Sequence, residues 1–386
     1  MLARFLGATL SAAAVAVGLA GGAASLRAQA LPAAQAAPAE KQAKAPKQWP
    51  PDAATLEKRR LVAEALPLFT SLEPIDVTIT ADFKTIQRDR DDDSKQAYPG
   101  TLAITTGGAT GPAIPIQLRT RGHVRRSERL CSFAPLRFEF QKATVKGTVF
   151  EGQGALKLGT HCQGDAIYQQ YVLKEYLANR LQNVLTPRSV RARLARVTYA
   201  DTDAGKKPYT KPGIFFEDVD DMAKRAGMRE LSVPRQVFAS VDQAQLLFMS
   251  LFQYMIGNTD YSIMTLHNVF MLDDVKGVRY TVPYDFDYSG LVGAHYATPA
   301  KGLALASVQD RFYRGPCKTE AEVAQALEPF RQKQAELLTL PASVPGLEEG
   351  HRRSTEKYLN AFFELVSRPD KVKKVFVTEC QPIAGM

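Results

Sequence analysis

Carboxylate, amide and imidazole side chains cluster in one stretch of the C-terminal half of the chain. Asp260, His267 and Asn268 precede a short apolar segment, and Asp285 and Asp287 follow a second one. Core packing does not call for such side chains, whereas carboxylates that lie close together stay ionised only when a cation lies among them. Hard oxygen atoms without clustered thiolates favour Mg²⁺ or Mn²⁺. These residue types therefore predict a divalent-metal site.

A predicted β-hairpin would bring these groups together. Two apolar segments, residues 269–272 and 278–282, flank a turn that contains a glycine. Antiparallel pairing through such a turn returns the chain to where it began. Asp285 would then lie beside Asn268 and the loop that carries Asp260.

Each of these residues also has an ordinary structural explanation. Asp260 fits the cap of a turn, Asp285 fits a loop residue that follows a proline, and His267 fits a packed core histidine. What favours function is their convergence at the open end of one hairpin.

The spacing of apolar residues divides the rest of the chain into two parts, and both must position this hairpin. Up to about residue 199 apolar residues alternate with period two, which predicts strands at residues 77–80, 101–104, 114–118, 136–140 and 155–158. One helix interrupts them, with Asp165 as its N-cap and Leu173, Leu177 and Leu181 on one face.

Beyond about residue 215 the pattern is helical. Residues 240–243 match a capping box and residues 246–256 are almost continuously apolar, which predicts a buried helix that stops at Gly257. Further helices are predicted to open at Thr319 and Ser354. The chain is therefore expected to have an α+β fold, with a β-rich lobe at residues 70–215 and a helical lobe at residues 216–386 that contains the hairpin.

Composition excludes several classes of protein. The chain has 386 residues, 45% of them hydrophobic and 23% charged, so it is not wholly disordered, collagen-like or a coiled coil. The formal net charge is +9, and it is +7 without Arg4 and Arg27, the two charged residues of the first thirty. This modest excess suits phosphate-bearing partners and is not a nucleic-acid footprint. Residues 88–93 read as a solvated loop, with calcium binding as the alternative.

The N-terminal residues predict export. Residues 1–30 have a basic start, a short apolar run and an A-x-A site, which indicate a signal peptide cleaved near Ala30 or Ala36 and a periplasmic or secreted protein. An uncleaved anchor helix is the alternative. Residues 31–51, rich in Ala and Pro, read as a flexible linker, and no transmembrane segment is expected after cleavage.

The cysteine count agrees with an oxidising compartment. The four cysteines all lie after the predicted signal peptide, and four cysteines allow three pairings. Local pairing, Cys131 with Cys162 and Cys317 with Cys380, is preferred because it suits a two-lobed chain. A zinc site is disfavoured because no C-x-x-C spacing occurs.

Several motifs taken together resemble those of a known enzyme group. A loop Asp, an Asn, a short hairpin and Asp-Phe are similar to the catalytic half of protein kinase-like enzymes. Most of residues 70–300 more closely resembles the atypical spore-coat CotH kinase family and its secreted bacterial relatives. The motifs that carry this resemblance are LRTRG at 118–122, PLRFEF at 135–140, LKL at 156–158, GIFFEDVD at 213–220 and PYDFD at 283–287.

The resemblance implies a two-lobed protein kinase-like fold and a role for each matching residue. Asp260 would be the catalytic residue beside the acceptor hydroxyl, while Asn268, Asp285 and Asp287 would hold Mg²⁺ or Mn²⁺. The residues that would bind the nucleotide, with ATP as the donor, are Arg121 and Gly122 in a basic turn, Lys157 on a strand with Glu175 as its helix partner, and Glu217 in the segment against adenine.

The sequence departs from the family pattern at three places, one of which is Asp287 in the position of the Gly of D-F-G. Asn268 lies eight positions after Asp260 where a kinase loop has five, so His267 is a second candidate ligand. A family Ser or Thr is replaced by residues 123–126, HVRR, which makes phosphate binding there more electrostatic.

These implications lead to three hypotheses about function. The first is an exported phosphotransferase that passes phosphate from a nucleotide to a hydroxyl-bearing protein or small molecule. Because exported proteins meet little ATP, the second is a catalytically inactive, kinase-like envelope or surface protein that binds a partner. The third is a metal-dependent phosphoesterase that works from the same carboxylates.

Overall fold

Seven strands close into a β-barrel. The structure is a computed structural model that describes residues 49–233 and 238–381. Its strands are β1 (Ile75–Ala81), β2 (Tyr98–Thr106), β3 (Ala109–Thr110), β4 (Ile114–Thr120), β5 (Leu136–Phe140), β6 (Ala155–Gly159), β7 (Ala192–Asp201), β8 (Tyr209–Phe216), β9 (Arg229–Glu230), β10 (Val269–Asp273) and β11 (Arg279–Pro283). The order around the barrel is β1-β7-β8-β6-β5-β4-β2, with β3 as a short extension on β2.

Strand β1 closes the barrel because it pairs on both of its edges. Ile79 lies opposite Leu102 of β2 in an antiparallel pair and opposite Tyr199 of β7 in a parallel pair. Burial alternates along β1, so Val77 and Ile79 point into the core. The interior is filled by apolar side chains from most of the strands, among them Val77, Ile79, Leu102, Leu118, Phe138, Leu156, Val197 and Phe215. A closed sheet of this size encloses packed side chains and leaves no open edge.

Helices cover one side of the barrel wall. They are α1 (Ala53–Glu64), α2 (Phe83–Ile86), α3 (Ala166–Leu185), α4 (Val219–Arg225), α5 (Gln243–Ile256), α6 (Glu320–Gln332), α7 (Gln334–Thr339), α8 (Glu349–Val366) and α9 (Pro369–Lys373). Leu177 and Leu181 of α3 share one hydrophobic cluster with Leu251 of α5, Phe362 of α8 and Leu194 of β7. The helical core is thus continuous with the outer face of the barrel.

The predicted two-lobed protein kinase-like fold is wrong. The strands assigned to a β-rich lobe form a closed barrel with one parallel pair, and the described residues belong to one compact unit. The helices that follow share their core with β7 and β8, so they do not form a separate helical lobe. The predicted domain boundary between residues 215 and 216 is a separate point, and it stays a prediction.

The long buried helix α5 begins differently from the prediction. Its N-cap is Asp242, whose Oδ1 accepts from the backbone N–H of Gln245 at 2.7 Å, whereas the sequence predicts that the helix opens at Ser240. Gly257 ends the helix in a left-handed conformation with φ 64°, as the sequence predicts. The predicted start of α6 at Thr319 is confirmed, because Thr319 is the N-cap and forms a capping box with Glu322.

Asp242→Ala tests the corrected N-cap. Loss of a side-chain acceptor at an N-cap costs about 1 kcal/mol of stability because a backbone N–H loses its partner. We expect the free energy of unfolding in urea to fall by about that amount. Glu364→Ala, an exposed position on α8, serves as the control and should change stability by less than about 0.5 kcal/mol. Equal effects of the two substitutions would contradict the assignment.

Both preferred disulfides are confirmed. Cys131 is bonded to Cys162 and Cys317 to Cys380, with Cα–Cα distances of 4.5 and 5.6 Å. The first connects the loop after β4 to the segment before α3, and the second connects the segment before α6 to the C-terminal residues. Two disulfides fit a protein that resides outside the reducing cytosol.

The predicted signal peptide and most of the predicted linker lie outside the described residues, which begin at residue 49. Within the described part of the chain, none of the helices has the length and apolar character needed to cross a bilayer.

Candidate functional site

The open end of the β10–β11 hairpin carries an unusual concentration of strained backbone. Leu266, Asn268 and Asp285 have φ values of 53°, 53° and 62°, and they are the non-glycine residues with positive φ among those described. Such a conformation costs on the order of 1 kcal/mol for a residue with a side chain, and it persists where surrounding contacts impose it. Backbone pairing provides these contacts, because the Tyr284 N–H donates to the Asn268 carbonyl at 3.0 Å.

The predicted adjacency of Asp285 and Asn268 therefore holds for the backbone. Val269 pairs with Pro283 at the end of the hairpin, which brings the residues before β10 beside those after β11.

Asp260 is held in the same network. The Asn268 side-chain N–H₂ donates to the carbonyl of Asp260 at 2.9 Å and to its carboxylate Oδ2 at 3.1 Å. His267 Nε2 lies 3.0 Å from Asp260 Oδ1. His267 is therefore an exposed partner of a carboxylate and not a packed core histidine. Because the N–H₂ of Asn268 points at Asp260, the Oδ1 of Asn268 stays available as a metal-ligating oxygen.

A small cavity of about 30 Å³ gathers most of the remaining predicted residues. Its lining includes Arg121, Lys157, Glu175, Glu217 and Asp285. They come from the end of β4, the middle of β6, helix α3, the end of β8 and the end of the hairpin. The fold thus brings together side chains that lie up to 164 positions apart, from 121 to 285.

A larger cavity of about 340 Å³ shares part of this lining. Lys157, Phe216, Glu217 and Phe270 line both spaces, and Arg137 and Asp218 line the larger one. The two cavities are therefore contiguous along Lys157.

Arg125, which was not among the predicted residues, bridges two buried carboxylates. Its Nη1 lies 3.8 Å from Glu175 Oε2 and 3.6 Å from Asp287 Oδ2, and its Nη2 donates to the Thr160 carbonyl. The Tyr296 hydroxyl donates to Asp287 Oδ2 at 3.2 Å. The HVRR segment of the sequence indicated local basic character, but nothing in it indicated this pairing.

Burial raises the pKa of both bridged carboxyl groups. The pKa of Glu175 rises to about 8 through burial and then through the nearby Asp287, and Arg125 opposes the rise. The pKa of Asp287 rises to about 7 through burial and then through Asp285, again against Arg125. Burial and the repulsion between neighbouring carboxylates thus outweigh the effect of Arg125 on both pKa values.

These shifts predict that stability depends on pH. A carboxyl group whose folded pKa is raised binds its proton more tightly in the folded state, so its contribution is fully present below the unfolded pKa, 4.5 for Glu175 and 3.8 for Asp287. It is lost as pH rises through about 7 and about 8. We expect the free energy of unfolding in urea to fall between pH 5 and pH 9. Glu175→Gln should flatten this decline, and an equally steep decline in that variant would contradict the assignment.

Lys157 does not pair with Glu175 among the described residues. Its Nζ lies 5.2 Å from the ring centroid of Phe270 and 5.3 Å from that of Tyr284, two rings that stack at 4.0 Å. Burial lowers the pKa of Lys157, as does the nearby Arg121, while Asp285 opposes the shift. The ammonium group is thus held over an aromatic pair without a carboxylate bonded to it.

Arg121 is the second cation in the cavity wall. Burial lowers its pKa and Asp285 opposes this, and its Nε is buried without a hydrogen-bond partner. A buried donor without a partner is costly, and it commonly indicates a ligand or water that completes the site.

Two predicted nucleotide-binding residues have other surroundings. Gly122 is exposed, with φ 86°, and does not line the cavity. Glu217 lines the cavity, but its buried carboxylate is bound by Arg191 and Arg225 at 2.8 and 2.9 Å. This pairing connects the end of β8 to the start of β7 and to α4.

The donor chemistry suits a divalent cation, although a preformed cluster is absent. Within the described residues, no group of three or more His, Cys, Asp or Glu side chains lies close enough to hold a metal ion. However, the Asp285 carboxylate has neither a hydrogen bond nor an ion pair there, burial and the nearby Asp285 raise the pKa of Asp287, and Asn268 offers Oδ1. These three donors are hard oxygens, so they fit Mg²⁺ or Mn²⁺.

No protein-family model matches the sequence, and no similar curated protein is found.

Proposed function

We propose that this protein is an exported phosphotransferase that passes phosphate from a nucleotide, with ATP as the donor, to a hydroxyl acceptor. The observation that carries the proposal is the convergence of half-buried cations and of carboxylates on one cavity. Arg121, Lys157 and Asp285 line it, and Arg125 pairs with Glu175 of the same lining and with Asp287. Phosphoryl transfer needs positioning and charge neutralisation more than covalent chemistry, and these side chains provide both. The resemblance to CotH-type kinases supports the same chemistry without their fold.

The charge of each residue determines the role that we assign to it. Arg121, with an unused buried N–H, and Lys157, without a carboxylate partner, would bind phosphate oxygens. The contiguous cavity of about 340 Å³ between Phe216 and Phe270 would take the base. Asp260 would orient the acceptor hydroxyl, because Asn268 and His267 fix its carboxylate in place.

Asp285, Asp287 and Asn268 would hold Mg²⁺ or Mn²⁺. When bound, the ion would neutralise phosphate charge and relieve the repulsion between the two aspartates.

Calorimetry with ATP and Mn²⁺ tests nucleotide binding. We expect measurable heat with the wild-type protein and a loss of at least tenfold in affinity for Lys157→Met, because the substitution removes a phosphate-binding cation from an apolar wall. Lys357→Met, an exposed lysine on α8, is the matched control. Transfer of label from γ-labelled ATP to an envelope extract tests turnover.

One observation favours a catalytically inactive binding protein as the second candidate. Glu175 pairs with Arg125 and not with Lys157, whereas an active protein kinase requires the Lys–Glu pair. Binding of Mn²⁺–ATP without label transfer would favour this candidate. Hydrolysis of simple phosphate esters without an acceptor would instead favour a phosphoesterase.

A further inference from the structure

A wide cleft opens at Tyr288, the residue that follows Asp287. Its volume is about 900 Å³, and its walls come from the loop after α2, the loop after β4 and Tyr288. Tyr288 connects it to the site, because Tyr288 follows Asp287 in the chain and its ring centroid lies 5.7 Å from that of Tyr296, whose hydroxyl donates to Asp287 Oδ2. A molecule in this cleft would therefore lie close to the carboxylates around Asp287.

The lining of the cleft carries more positive than negative side chains. Arg90 Nε lies 3.8 Å from Glu128 Oε1, and His123 pairs with Asp92. The two acidic residues of the lining therefore already have partners. Two further arginines, Arg88 and Arg129, line the cleft. Their guanidinium groups have neither an ion pair nor a hydrogen bond within the described part of the chain. Both are exposed.

The cleft also offers apolar surface. Val124 is 52% exposed, and Leu130 and Tyr288 continue the wall toward the site. Because exposed side chains form its rim, the cleft is an open trough, which suits an extended chain better than a small enclosed ligand.

We propose that this cleft binds the acceptor as an extended peptide segment with acidic residues around its serine or threonine. The acidic residues would pair with Arg88 and Arg129, an apolar residue would lie on Val124, and the hydroxyl would reach Asp260. This inference rests on the proposed function for the transfer step, while peptide binding is independent of it. It names an acidic protein segment as the substrate class.

Peptide binding is the direct test. Fluorescein-labelled peptides with one serine flanked by glutamates, by lysines or by glutamines are titrated with the full chain and followed by anisotropy. We expect the glutamate peptide to bind at least tenfold more tightly than the lysine peptide, with affinity that falls as salt rises. Equal affinities, or preference for the lysine peptide, would overturn the proposal.

A charge-reversal variant tests the assignment to this cleft. Arg88→Glu with Arg129→Glu should remove the preference for the glutamate peptide, whereas Lys357→Glu with Lys371→Glu, an equal charge change on α8 and α9, should keep it. Unaltered preference in the cleft variant would overturn the proposal. Thermal melting confirms that both variants are folded.

Turnover separates this inference from the proposed function. In the cleft variant we expect KM for the glutamate peptide to rise at least tenfold while binding of Mn²⁺–ATP stays unchanged. If the wild-type protein binds the glutamate peptide selectively but not Mn²⁺–ATP, the proposed function fails and the cleft assignment stands. If it transfers phosphate without a preference among the peptides, the cleft assignment fails and the proposed function stands.

Discussion

Mn²⁺-dependent nucleotide turnover is expected to fall about 10³-fold in Asp285→Asn, the order found when one preorganised charge stabiliser is removed. The carboxylate of Asp285 has no hydrogen bond or ion pair within the described residues, so its role is not to hold the fold together. Asparagine keeps its size and tolerates the left-handed backbone, φ 62°, that this position requires. The measurement is the initial rate of ADP release at saturating Mn²⁺ and ATP.

Stability provides the control for Asp285→Asn. Asp285 is the charge that, after burial, most raises the pKa of Asp287, so its neutralisation should lower that pKa and leave the free energy of unfolding unchanged or slightly increased. Asp285→Ala gives a matched comparison, because alanine adds backbone strain at positive φ to the same loss of charge. Turnover in Asp285→Asn equal to that of the wild type would remove Asp285 from the proposed mechanism.

Arg125→Gln is expected to destabilise the protein by about 3 kcal/mol at pH 8, because removal of one partner of a buried ion pair leaves uncompensated charge. Arg125 is the one cation in contact with both Glu175 and Asp287 among the described ion pairs. Without it both carboxyl groups must take up protons, so the loss should be smaller at pH 5 than at pH 8. Urea unfolding at the two pH values measures the effect.

Arg125→Lys tests whether charge alone is required. Lysine keeps the positive charge but cannot reach two carboxylates and the Thr160 carbonyl with a rigid fork, so partial recovery of stability is expected. Removal of Glu175 together with Arg125, as Glu175→Gln with Arg125→Gln, should cost less than the sum of the two single changes. A purely additive result would show that the two groups do not interact.

Local patterns of the sequence predicted most strands and the hairpin because each depends on residues close together in the chain. The period-two segments became β1, β2, β4, β5 and β6, and the two apolar segments around a glycine turn became β10 and β11. The local disulfide pairs also followed from proximity along the chain.

Barrel closure could not be predicted because it depends on one distant pairing. Nothing in β1 specifies that its second edge binds β7, since alternating apolar residues suit either partner and either direction. The kinase-like resemblance also concerns short motifs, and such motifs constrain the site more than the sheet that carries it.

The candidate site was predictable at the hairpin and less so elsewhere. Asp285 and Asn268 are adjacent because the hairpin brings them together. The partner of Glu175 instead lies in a loop whose residues show no hydrophobic period, so the sequence does not predict its path. Arg125, four positions beyond Arg121, reaches Glu175 only because the chain folds back after Gly122 toward the segment disulfide-bonded at Cys162. Sequence spacing carries no information on such a return.

The parallel pairing of β1 with β7 sets the order in which this protein can fold. Side chains that meet across that pairing, such as Asp76 and Arg196, are 120 positions apart. Contacts of such long sequence separation form slowly, because the entropy of closing the intervening loop is lost first. While the chain is synthesised, β1 leaves the ribosome long before its second neighbour exists. The barrel therefore closes late in folding, after most of the chain that separates β1 from β7 has been made.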